Sequence, residues 1–75
     1  MHMSKYPVLK PNEVIQALEK IGFKEARIKG SHIQLKRSNL LVTVPSHRKD
    51  LKTETLKSIL RQAKLTLSEF LQIIK

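Results

Sequence analysis

Between Lys10 and Phe23 the apolar residues return every three or four positions, a spacing that predicts a helix. Val14, Ile15, Leu18 and Ile21 form its stripe. Pro11 stands where a first turn tolerates proline, and Glu13 lies near the positive end of the helix dipole. Gly22 follows at once as a left-handed C-terminal cap, which lets Phe23 fold back onto the last turn. Residues 1–8 carry no periodic signal and read as a loose leader, with Met1-His2 a cloning remnant ahead of a natural start at Met3.

After Phe23 the period changes to two, which marks strands. Ala26 and Ile28 alternate with Arg27 and Lys29, and beyond Gly30 the apolar Ile33 and Leu35 alternate with His32, Gln34 and Lys36. Ser38-Asn39 suits a hairpin turn before a third strand, Leu40 to Val44, which Pro45 ends because proline donates nothing to a ladder. If Ile28, Ile33, Leu35, Val42 and Val44 face the helices, then Arg27, Lys29, His32, Gln34 and Lys36 share the other face. Whether Leu41 and Thr43 join them depends on the third strand's register.

A charged loop, Ser46 to Lys52, leads to a second helix near Thr53 with the stripe Leu56, Ile59, Leu60 and Ala63. A short last helix opens on Thr66-Leu67-Ser68-Glu69, which has capping-box spacing, and docks through Phe70, Leu71 and Ile74. The expected fold is α+β, in the order α-β-β-β-α plus a short C-terminal helix, forming a single domain over residues 9–75.

Length and charge narrow the function. A chain of 75 residues has one modest core, and without cysteine it must be held by packing rather than by disulfides or a cysteine zinc site. No apolar run is long enough to span a membrane and no signal peptide is evident, so a cytoplasmic location is expected. Fifteen Lys and Arg against six Asp and Glu give a formal charge of +9, a field that draws polyanions.

Histidine can both take and give a proton near neutrality, which makes His32 and His47 the candidates for chemistry. Arg27, Lys29 and Lys36 surround His32 and could hold a phosphate, while Gly30 and Ser31 permit close backbone approach. This grouping suits attack of an RNA 2′-hydroxyl on the adjacent phosphorus, a nucleophile that DNA lacks. The carboxylates are scattered, so no metal and no other cofactor is expected. Tyr6, Phe23 and Phe70 are too few for a stacking platform, which favours recognition of phosphate and 2′-hydroxyl. Further phosphate contacts could come from His47, Arg48 and Lys49 in the loop and from Lys57 and Arg61 on the second helix.

Gly22-Phe23, Gly30-Ser31-His32, Val44-Pro45-Ser46-His47 and the run from Thr55 to Ala63 together resemble the HicA family of toxin ribonucleases. The resemblance implies a double-stranded-RNA-binding-domain-like fold with both main helices on one face of a three-stranded antiparallel sheet. It also implies cleavage of mRNA, growth inhibition, neutralisation by an acidic HicB-type antitoxin, and an essential histidine at His32. The chain departs from the family pattern at Glu54 and Lys64, both glycine in many members. Two other readings compete with a metal-independent ribonuclease: a non-catalytic RNA-binding module using Lys49, Lys52, Lys57 and Arg61, and a DNA-reading helix-turn-helix from Leu56 to Leu71.

Overall fold

The computed structural model describes residues 6–74. The elements are α1 (Pro11–Lys20), β1 (Lys24–Lys29), β2 (His32–Arg37), β3 (Leu40–Pro45), α2 (Thr53–Ala63) and α3 (Leu67–Ile74). The strands form one antiparallel sheet in the order β1-β2-β3. This is the α+β order that the periodicity predicts.

Local chemistry sets the helix ends. The Glu13 carboxylate accepts the Lys10 backbone N–H at 2.7 Å, half of a capping box whose reciprocal half Lys10, having no acceptor, cannot supply. At the other end Phe23 N–H donates to Leu18 O and Gly22 N–H to Glu19 O, both at 3.1 Å, with Gly22 at φ +101°. That is a Schellman motif. The Arg37 guanidinium donates to Ile21 O at 2.7 Å and lies 4.9 Å from the centre of the Phe23 ring. Arg37 thus clamps the end of α1 to the far end of β2. In α3 the capping box is complete, with Thr66 N–H donating to Glu69 Oε1 at 2.8 Å and Glu69 N–H to Thr66 Oγ1 at 3.1 Å.

One hydrophobic cluster joins the layers. Leu35, Val42 and Val44 from the sheet meet Val14 and Leu18 of α1, Leu56, Ile59 and Ala63 of α2, and Phe70 of α3. Burying a side chain of this size contributes roughly 1.5–3 kcal/mol each. The helices cover β3 most closely, whereas every residue of β1 is exposed. Ile28 therefore departs from expectation: it shares a row with Ile33 and Val44 on the helix side, yet it is 64% exposed because β1 overhangs the helical layer.

Residues 1–5, including Met1-His2-Met3, lie outside the described residues, but Tyr6 and Leu9 pack against the core and Leu9 O accepts the Leu51 N–H at 2.8 Å. At the sheet's other border, Gln62 Oε1 accepts the Thr43 N–H at 2.8 Å, so α2 satisfies the edge of β3. Among the described residues no helix is long and apolar enough to cross a membrane.

Two substitutions test these junctions. Lys64, at φ +61°, ends α2 in the left-handed conformation that favours glycine. That conformation costs an ordinary residue roughly 1–2 kcal/mol, part of which glycine returns through its freer unfolded chain. Lys64→Gly is expected to raise the stability by up to about 1 kcal/mol in urea denaturation; a loss would refute the strain. Arg37→Ala, which removes a charged hydrogen bond and a cation–π contact, is expected to lower it by about 2 kcal/mol. A change under about 0.5 kcal/mol would reduce Arg37 to an ordinary surface residue.

Candidate nucleic-acid interface

Residues directly opposite in a ladder share a face, so the strand register sorts the sheet's side chains. Three rows cross the face away from the helices: Lys29, His32 and Pro45; then Arg27, Gln34 and Thr43; then Lys24, Lys36 and Leu41. The third strand's register is thereby fixed, and Leu41 and Thr43 join the basic face. His32, Arg27, Lys29 and Lys36, all expected there, are exposed on it together.

Lys24 belongs to this face although the sequence assigned it no role. In a straight strand it would share the parity of Ile28 and point toward the helices. The register shifts between Glu25 and Arg27, however, where Ala26 is the extra residue of a β-bulge. The bulge turns Lys24 outward and carries Glu25 to the helix side, in a row with Leu35 and Val42. Nothing in Glu25-Ala26-Arg27 announces a bulge, so no pattern rule could have found Lys24.

Among the described residues, the result is a face with four Lys and Arg and no carboxylate. The acidic residues are engaged or placed elsewhere: Asp50 lies 3.3 Å from Lys10, Glu54 lies 4.0 Å from Lys57, Glu13 and Glu69 act as caps, and Glu19 is on α1. Among the described residues of the face, no anion offsets these four cations. Ser31 occupies the two-residue turn between β1 and β2, where its carbonyl accepts the Ser46 N–H. Gly30 takes φ +59° in that turn, and a Cβ there would meet nothing within 4 Å, so the turn that leads into His32 is open at Gly30.

The other expected contacts are not gathered here. His47 and Arg48 line a cleft of about 370 Å³ with Lys10, Pro11, Ile15 and Ile33. Because Ile33 and His32 point to opposite faces, His47 belongs to the helix side. Lys49 is exposed in the same loop, while Lys57 and Arg61 project from α2 in the helical layer. Lys57 is also occupied, 5.4 Å from the centre of the Tyr6 ring. As for a helix-turn-helix, α3 packs on α1 with Phe70 fully buried, which leaves Ser68, Glu69 and Gln72 as its exposed polar positions. Among the described residues, no three His, Asp or Glu side chains converge as metal ligands.

No curated protein matches the chain. The family model of the HicA toxin of bacterial toxin–antitoxin systems matches residues 11–65. That segment opens at the first residue of α1, crosses all three strands of the basic face and ends just beyond α2. It takes in well over half of the chain, which therefore belongs to the HicA toxin family, whose members work against an antitoxin partner.

Proposed function

We propose that this toxin is a metal-independent endoribonuclease that cleaves mRNA with His32 as its catalytic residue. The observation that carries the reading is the row that sets exposed His32 beside Lys29 on a sheet face without a carboxylate. In this reaction neutral His32 takes the proton of a 2′-hydroxyl as the oxygen bonds to the adjacent phosphorus. The bond from phosphorus to the 5′-oxygen breaks, and that oxygen leaves with a proton from water. The products are a 2′,3′-cyclic phosphate and a free 5′-hydroxyl, and His32 returns its proton to solvent. Lys29 offsets the charge that builds on the phosphorane oxygens, an electrostatic contribution that is often the largest single one in such sites.

In the same reading residues 9–75 act as one cytoplasmic unit, and an acidic antitoxin of the HicB type silences it by covering the basic face. Opposite charge speeds such association and disfavours wrong partners. Arg48, Lys49 and Arg61, being exposed, serve as outlying phosphate contacts rather than as part of the reacting centre.

The test is incubation of a defined RNA with the wild-type chain and with His32→Ala in excess EDTA, after circular dichroism has shown both to be folded. Cleavage by the wild type alone, with cyclic phosphate ends, is the expected outcome. Equal cleavage by the variant would reject His32, and binding without cleavage by the wild type would favour a non-catalytic RNA-binding module.

A further inference from the structure

We propose that the basic face holds one unpaired RNA strand along the direction of the sheet strands, with its phosphates over β1 and its sugars and bases over β2 and β3. The inference rests on the ribonuclease reading and adds the substrate's form and path to it. Its basis is the repeated composition of the three rows. Each row begins with a cation on β1, namely Lys29, Arg27 or Lys24, and ends with an uncharged residue on β3, namely Pro45, Thr43 or Leu41. Between them β2 supplies His32, Gln34 and Lys36.

The dimensions suit a single backbone. Side chains on one face recur every second residue, so successive rows stand roughly 7 Å apart, close to one extended nucleotide repeat. From β1 to β3 is about 10 Å, two strand spacings, which a sugar and its base can cross. Phosphates tracking β1 would thus meet one cation per nucleotide. A duplex docked on this face would bring two lines of phosphate to its two borders. On this face β3 supplies Pro45, Thr43 and Leu41, none of them a cation to meet the second line, and Leu41 is 48% accessible despite its size.

This path gives roles to residues outside the reacting centre. Lys24 and Arg27 are positioning residues that hold the phosphates next to the one at His32. Gln34, with both donor and acceptor atoms and half-buried between Arg27 and Thr43, is suited to a 2′-hydroxyl or a base edge. Leu41 offers an apolar surface for an unstacked base.

The experiment uses the His32→Ala chain, so that RNA is bound without being cut. Fluorescence anisotropy across a salt series compares a labelled unpaired RNA with the same RNA annealed to its complement. The unpaired form is expected to bind at least about tenfold tighter. Lys24→Ala and Arg27→Ala, each added separately, are expected to reduce the slope of log K against log salt by about 0.7, the share of one phosphate on a single strand. Lys57→Ala, which removes a cation already engaged by Glu54 and the Tyr6 ring, should leave the slope unchanged, and Leu41→Ser should weaken binding without altering it. Equal or tighter binding of the duplex would overturn the proposal, as would a slope that responds to Lys57→Ala and not to the substitutions on β1. Either result leaves the ribonuclease reading intact if the wild type cleaves RNA, whereas absence of both binding and cleavage would reject the two together.

Discussion

A pleated strand sends neighbouring side chains to opposite faces, and a chain this short has enough helix to cover only one face of its sheet. That constraint organises the rest of the molecule. Leu35, Val42 and Val44 meet the helices, and the residues between them are left in water. The core and the functional face are consequently two readings of the same strands. A change that shifted the register of β2 by one residue would expose the core and bury His32 in a single step.

Charge is abundant in this chain, so sign alone says little about which cations serve a ligand. Arg37 illustrates this, because its guanidinium is spent on the Ile21 carbonyl and the Phe23 ring. Lys10 is matched by Asp50, and Lys57 by Glu54 and Tyr6. The cations that remain beside His32 are distinguished by position, since the bulge at Ala26 and the strand pairing bring them onto a surface free of carboxylates.

Much of this was legible in the sequence, where period and cap chemistry agreed. Gly22 behind Ile21 and Glu69 behind Thr66 marked helix ends that the structure reproduces. The alternation in β2 placed His32 and Lys36 on the face opposite Leu35, as observed. What could not be read depends on contacts remote in sequence. Ala26 looks like any strand residue, so neither the bulge nor Lys24 was visible. Ile28 has the pattern of a core residue, but how far the helices extend over β1 is a matter of packing rather than of local propensity. The loop bearing His47 had no period to follow, and its turn toward Ile33 is set by the cleft it lines.

The bulge has a consequence for solubility as well. The two borders of the sheet are treated differently: α2 closes β3 through Gln62, while among the described residues β1 has no neighbouring strand on its outer side. A straight bare strand is a template on which another copy can add its own, the first step toward stacked aggregates. The extra residue at Ala26 breaks the even spacing that such addition needs, and Lys24, Arg27 and Lys29 add repulsion between like chains. The same irregularity that assembles the basic face therefore helps a protein with an uncovered sheet border to remain dispersed.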